Sequence, residues 1–424
     1  MDESRSLGET LFTRNFILTC FATLLFYMSF HLLLPTLPVY VLGLGGTEGD
    51  VGLVMSAFAM ASVFMRPFAG QWVDRGHKKG LMLAGAVVYV TSAILYYLVP
   101  HVKGLVAVRF LHGLGIGMYS TAASSLISDA APRKRRGEAL GYFLLATSLA
   151  MAIGPAVGIL IVERLSYFAL FASSAVLAAI VFICTLAVSV SARPSAILNG
   201  ATRPRRVGGW HRKLATGVGS LISLEAAFPA IALAFGSATY GSVASFLAVY
   251  ARSRGITRSG VFFTAFALSM FATRTIAGRI SDRRGRAAVI VPGLIAICVG
   301  MGILATATSI SEFVLAAIVY GVGFSVMQPT VTALMVDHVR PERRGAAIGT
   351  LLAMYDVGMA SGGILAGKIA ERLSLTAVYW SMSFVGACGL IFFLSGYKRY
   401  CTIRARAMVR PGSPAEGIAP VHLE

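Results

Sequence analysis

The sequence predicts an all-α membrane protein of twelve transmembrane helices in two pseudo-symmetric six-helix bundles, and three observations carry that expectation. The chain is 56% hydrophobic and 13% charged, with a mean hydropathy of +0.75, whereas an average soluble domain is roughly a quarter charged. Apolar segments long enough to cross about 30 Å of hydrocarbon at about 1.5 Å per residue recur along nearly its whole length. The chain also repeats itself: from the second apolar segment to the fifth it matches a later stretch at an ungapped offset of 208 residues.

Taken in order, the spans are expected near residues 15–43, 51–73, 81–100, 104–128, 138–162, 167–190, 224–250, 259–281, 288–308, 312–336, 345–367 and 375–396. They are continuous and rich in Ala, Gly, Leu and Met, whereas the strands of a membrane barrel alternate over about ten residues. The first is too long for a typical signal peptide and lacks a convincing small-residue cleavage site, so it is expected to remain as an anchor. Residues 191–223 are polar, basic and punctuated by Pro194, Gly200, Pro204 and the Gly208-Gly209 pair, as expected of a linker. The predicted organisation is a first bundle over 1–190, a cytoplasmic linker over 191–223, a second bundle over 224–396 and a cytoplasmic tail over 397–424.

The repeat is specific in its residues. Arg66, Gly70, Asp74 and Arg75 fall on Arg274, Gly278, Asp282 and Arg283, and Gly113 and Gly115 on Gly321 and Gly323. Asp129, Arg135, Arg136, Gly137 and Gly141 fall on Asp337, Arg343, Arg344, Gly345 and Gly349. An even number of spans per half relates the halves by an axis along the membrane normal, with a cavity expected where they meet.

A net charge of +19 would point to a polyanion in a soluble protein, but in a membrane protein its placement matters more. With the N-terminus inside, 27 of the 37 lysines and arginines fall on the cytoplasmic side, 7 outside and 3 within spans. This bias sets the orientation, with both termini cytoplasmic, and no nucleic-acid partner is implied. The external loop with Arg252, Arg254 and Arg258 runs against the trend. Five cysteines, four of them inside apolar segments, argue for small packing residues rather than a disulfide framework or a metal site.

Two stretches carry a family likeness. Gly70-Gln-Trp-Val-Asp74-Arg75-Gly76-His77-Lys78-Lys79 and its echo Gly278-Arg-Ile-Ser-Asp282-Arg283-Arg284-Gly285-Arg286 resemble the loop signature of the major facilitator superfamily. The likeness covers nearly the whole chain. It implies that Asp74 caps the N-terminal dipole of the eleventh helix and pairs through Lys78 with Asp129, latching an outward-facing state, and that Asp282, Arg286 and Asp337 form a second latch. His77 stands where the family usually has glycine, so the first loop is expected to turn less tightly than the second.

Arg109-Phe-Leu-His112-Gly113-Leu-Gly115-Ile-Gly117 in the fourth span is similar to the family's second motif, with His112 in place of the common glutamine. An arginine inside a span costs about 2.5–3.5 kcal/mol on insertion scales and must face the bundle interior or water. Its repeat equivalent is Ala317, an asymmetry that points to proton coupling or substrate binding. Gly154-Pro155-Ala156-Val157-Gly158 in the fifth span resembles the motif that marks exporters and antiporters of the superfamily. Proline between glycines gives a bend where spans pack closely. The family's usual glycines are replaced by Ala150 and Ile159.

Asp356 lies near the middle of the eleventh span, where the first half has Ser148. A buried acid of this kind can exchange a proton or attract a cation, or form a structural salt bridge. His31, just before Pro35 and Pro38 in the first span, is a further proton-coupling candidate, and Tyr355, Gln328 and Pro329 are expected in the cavity wall. Arg66 and Arg274, eight residues before the loop acids, read as cytoplasmic-end gating or structural charges, and Glu225 as an interface residue.

No nucleophile, base or phosphate-cradling constellation appears, which argues against an enzyme. The resemblance implies a monomeric, proton-coupled exporter of a small organic compound (a drug, metallophore or other metabolite) in the cell membrane. It would bind small-molecule substrate, protons and lipid, with a proton gradient as its energy source and no cofactor. Uptake of a sugar or organic anion, and a sensor or enzyme retaining the fold, are the alternatives.

Overall fold

A chain surrounded by hydrocarbon must satisfy its backbone within each segment, and long runs of Leu, Ala, Val and Phe do so as α-helices. The computed structural model describes residues 11–132, 135–189, 224–256, 258–339 and 344–408; the expected linker and the end of the tail lie outside these. Among the described residues twelve long helices follow one another: α1 (Arg14–Gly43), α2 (Glu48–Asp74), α3 (Lys78–Leu98), α4 (Val102–Ala130), α5 (Arg136–Arg164) and α6 (Tyr167–Ala187) make the first bundle. A 3-10 turn at Leu224–Ala226 leads into α7 (Ala227–Ser253), α8 (Gly260–Arg284), α9 (Ala287–Thr306), α10 (Ile310–His338), α11 (Arg344–Arg372) and α12 (Leu375–Met408). The last helix continues well past the expected end at 396.

Ten of the twelve are apolar enough to cross a membrane outright, and α8 makes an eleventh, bent by 41° between Gly260–Arg274 and Ile276–Arg284. The twelfth, α4, falls short of that hydropathy. Its polar and small residues, Arg109, His112, Gly113, Gly115, Gly117 and Ser120, are buried against other helices. By contrast α6, α9 and α12 expose Phe168, Val176, Ile183, Val299, Phe384 and Ile391, the outward apolar surface that lipid solvates. The interior helix α7 is buried along almost its whole length, from Pro229 to Ala251.

Local chemistry sets the helix ends. Thr47 and Asp50 form a reciprocal capping box at the start of α2, and Ser309 and Glu312 do the same for α10. α1 breaks between Leu33 and Thr36, because Pro35 has no N–H to donate. The Thr36 hydroxyl repairs part of the loss by donating to the carbonyls of Leu32 and Leu33 at 3.1 and 3.3 Å. Both signature loops turn through a left-handed glycine, Gly76 (φ 89°) and Gly285 (φ 87°). These are one register position apart, so the first loop keeps its glycine turn and leaves His77 at an ordinary φ of −85°. The looser turn expected from His77 is not found.

The two bundles meet through α2 against α11 and α5 against α8. Call the face carrying the chain ends and the α2–α3, α4–α5, α8–α9 and α10–α11 loops the terminal face. At the opposite face the contact is close: a Cβ added to Gly52 would lie 3.0 Å from the Gly363 carbonyl oxygen and 3.1 Å from the Gly367 Cα, and one on Gly260 would meet Ile159 at 3.6 Å. At the terminal face Gly70, Gly141, Gly278 and Gly349 have nothing within 4 Å of the Cβ they lack. Among the described residues, the bundles are in close contact at the opposite face and leave space around these four glycines at the terminal face.

Candidate functional site

Three glycines draw α4 into the first bundle until Arg109 has no route to lipid or bulk water. A Cβ at Gly113 would lie 2.1 Å from the Phe58 carbonyl of α2, one at Gly115 would lie 2.8 Å from the Tyr89 ring of α3, and one at Gly117 would lie 2.8 Å from Met65. Such backbone proximity is the use of small residues between spans. Arg109 is consequently 0% exposed. Its guanidinium sits 4.9 Å from the centre of the Phe58 ring and 5.7 Å from that of Phe30. It donates to His112 Nδ1 at 3.4 Å and approaches Met55 Sδ at 3.6 Å, while Nε has no partner.

Among the described residues no carboxylate lies within ion-pair distance of this arginine. Desolvated cation–π contacts contribute about 2 kcal/mol, comparable with the about 2.5–3.5 kcal/mol that a mid-span arginine costs, so ring faces stand in for the missing acid. His112 Nδ1 is also 3.1 Å from the Tyr96 hydroxyl, and its Nε2 has no partner. Arg109 borders a narrow gap between the halves. Phe30, Met55 and Phe58 line it from the first bundle, and Gly241, Ser245 and Met359 from the second.

The second charged centre joins the halves directly. Asp356 Oδ2 accepts from Arg66 Nη2 at 2.6 Å and Nε at 2.8 Å, and from the Ser62 hydroxyl at 2.9 Å. The side chains are only 14% and 11% exposed. Arg66 also reaches Ser120 of α4 at 3.5 Å, and the Tyr27 and Tyr355 hydroxyls lie within electrostatic reach of Asp356. Arg66 therefore acts across the bundle interface, about 12 Å from the α2 loop at 1.5 Å per residue. Sequence reasoning singled out the acid and the arginine separately. Ser62, Ser120 and Tyr27 carry no motif, and only the packing of α1, α2 and α4 brings them together.

A major facilitator superfamily model matches residues 19–263 and 255–400, nearly the whole chain. The chain belongs to the major facilitator superfamily. Among relatives of this facilitator, the quinolone resistance protein NorA of Staphylococcus aureus is 22% identical over 384 residues, covering 88% of this chain and 94% of NorA. The staphylopine export protein of Staphylococcus aureus is 23% identical over 401 residues, covering 93% and 97%. The crystal structure of the nucleoside transporter NupG superposes with a TM-score of 0.66 at 17% identity, over 91% of this chain and all of that one, a likeness of fold. As a facilitator, the protein is a multi-pass membrane transporter of small molecules, not an enzyme, and needs no cofactor.

The remaining motif residues of this facilitator divide by what they touch. Gly154 and Gly158 hold α5 on α1 beside its break: Cβ atoms there would come within 2.5 Å of His31 Cβ and 2.1 Å of the Leu32 carbonyl oxygen. Pro155 lies between them inside α5. His31 is buried against Phe30 and Tyr27, with Nδ1 unpartnered. Lys78 contacts Asp129, and Arg286 holds Asp337 at 2.8 Å and Asp282 at 2.6 Å. Each of these pairs lies within one half. Arg75 and Arg283 are exposed, and the Asp74 side chain lies outside the described residues. Pro329 lines a recess described below, and Gln328 is half-buried beside it. Glu225 is buried, its carbonyl accepting from the Tyr400 hydroxyl at 3.2 Å.

The geometry of Arg109 sets an expectation. Changing Arg109 to Gln removes a buried charge that has no counter-ion, so the purified protein should melt at the same temperature or higher. Substrate transport should fall by roughly tenfold or more, the effect of losing one mid-span charge contact. A lowered melting temperature with transport intact would make Arg109 a structural residue.

Proposed function

We propose that the protein is a monomeric, proton-coupled exporter of a small organic compound, with both termini in the cytoplasm, that works by alternating access. The observation that carries this reading is Asp356, an acid in the middle of α11 held across the bundle interface by Arg66 and Ser62. Protonating Asp356 would remove the charge that Arg66 grips, so uptake of one proton would weaken the contact between the halves. Binding and conformation would then be linked through a single carboxylate.

The basic residues concentrated at the terminal face support a cytoplasmic placement of that face. The structure would then correspond to the state that receives substrate from inside. Relatives named for quinolone resistance and staphylopine export support export, and the close α5–α1 packing at Gly154 and Gly158 supports the exporter reading of that motif. Arg109 lies at the gap between the halves and would meet an anionic group of a substrate only once the halves move apart there.

Inside-out vesicles carrying the protein should accumulate substrate when their lumen is acidified, and a protonophore should stop them. A second reading, uptake, is favoured by the likeness in fold to a nucleoside transporter. It requires the reverse: accumulation in right-side-out vesicles. Transport in inside-out vesicles that ignores the pH gradient would exclude proton-coupled export.

A further inference from the structure

In the second bundle α8 and α10 touch where Gly321 meets Phe266 and Ser269, then part toward the terminal face. The space between them is an open recess lined by Arg274, Gly278, Ser281, Ser325, Pro329 and Thr330, with Asp282, Arg286 and Ala333 also on its wall. Gly278 contributes no side chain, and a Cβ there would meet nothing within 4 Å.

The repeat explains why Arg274 differs from its counterpart. In the first bundle Arg66 finds Asp356. The register that places Arg274 on Arg66 places Ser148 on Asp356, and the Ser148 hydroxyl donates to its own helix at Leu144, 2.6 Å away. Among the described residues, Arg274 has no carboxylate within ion-pair distance. Asp282, the acid of the recess wall, is already held by Arg286 at 2.6 Å. Arg286 is already matched by two carboxylates, Asp282 in the lining and Asp337 beside it, so among the described residues Arg274 is the guanidinium of this half-buried recess that has no acid of its own.

An arginine within a span is expected to face water and a counter-charge. The neighbouring groups suit one kind of visitor. Ser281 Oγ accepts from Arg286 at 2.9 Å, which leaves its own O–H free to donate, and Thr330 stands on the facing helix. A planar fork with hydroxyl donors beside it matches a tetrahedral or planar oxyanion.

We infer that the recess between α8 and α10 is a binding site for a phosphate-type oxyanion, with Arg274 as its principal ligand. The anion enters from the terminal face, as inorganic phosphate or a soluble phosphate ester, or as the headgroup of an anionic phospholipid. The site is separate from Asp356 and does not depend on the direction or coupling of transport.

Thermal unfolding of the purified full-length protein tests this, first in detergent with inorganic phosphate and then in phosphatidylcholine nanodiscs with or without phosphatidylglycerol. One of the two additions should raise the melting temperature by roughly 2–5 °C at saturation. A rise with phosphate identifies a soluble oxyanion, and a rise with phosphatidylglycerol alone identifies a lipid headgroup. Arg274→Gln should remove the rise, and Arg274→Lys should retain part of it. Ala333→Leu, on the α10 wall of the recess, fills it without changing a charge; it should remove the rise too and serves if Arg274→Gln fails to fold. The site does not exist if neither addition shifts the wild-type protein, or if Arg274→Gln and Ala333→Leu shift equally.

Discussion

Asp356→Asn should abolish pH-gradient-driven transport and also lower the stability of the protein, and the two effects should separate in a double variant. The acid is held by two Arg66 nitrogens and Ser62 at 2.6–2.9 Å, with both side chains largely buried. Removing one partner of such a pair leaves the other charge uncompensated and costs about 3–5 kcal/mol. Arg66→Gln combined with Asp356→Asn removes both charges and should recover most of the lost melting temperature, because a neutral pair carries no desolvated charge. The double variant should still fail to couple transport to a proton gradient, having no carboxylate at that interface. Melting curves and vesicle uptake under an imposed gradient, measured on the wild type, Asp356→Asn, Arg66→Gln and the double variant, read both effects. Gradient-driven transport at the wild-type rate in Asp356→Asn would remove this residue from the coupling mechanism.

The second large effect is expected at Gly158. An alanine Cβ would sit 2.1 Å from the backbone carbonyl oxygen of Leu32, an atom that cannot rotate away as a side chain can. α5 would have to withdraw from α1, and overpacking of this kind costs about 1–3 kcal/mol or more. Gly158→Ala should therefore lower the melting temperature by several degrees, about 2–4 °C per kcal/mol for chains somewhat smaller than this one, and reduce the amount of folded protein in the membrane. Gly278→Ala makes the control, since its new Cβ would meet open space and should leave the melting temperature unchanged. Equal melting temperatures for both variants would mean that the α1–α5 contact yields easily and that the motif has another purpose.

Much of the architecture was legible because lipid imposes one periodicity on every span, and because the 208-residue register ties each half to the other. The family signature was legible for the same reason: its residues lie close together in the chain. What the sequence hid were partnerships between helices. Arg66 read as a charge near the end of a span, since only Asp74 was visible eight residues on, while its partner lies 290 positions away in the other bundle. Arg109 was recognisable as an unusual residue. That it rests on two phenylalanine rings and a histidine, with no acid among the described residues, follows from how α1, α2 and α4 close around it. His77 misled in the opposite sense, because the neighbouring Gly76 supplies the turn that a glycine at 77 would have made.

The shortfall of α4 in hydropathy has a consequence for how the protein is made. Helices reach the bilayer from the ribosome largely in order, and each partitions according to its own free energy of transfer. A segment carrying Arg109 and His112 with so many glycines and serines is poorly retained by lipid alone. The strongly apolar α3 immediately before it offers the ring of Tyr89, against which Gly115 packs, and the hydroxyl of Tyr96, which meets His112. An α3–α4 hairpin would therefore cover His112 and Gly115, while the cover of Arg109 comes from Phe30 and Phe58 of α1 and α2, which precede α4 in the chain.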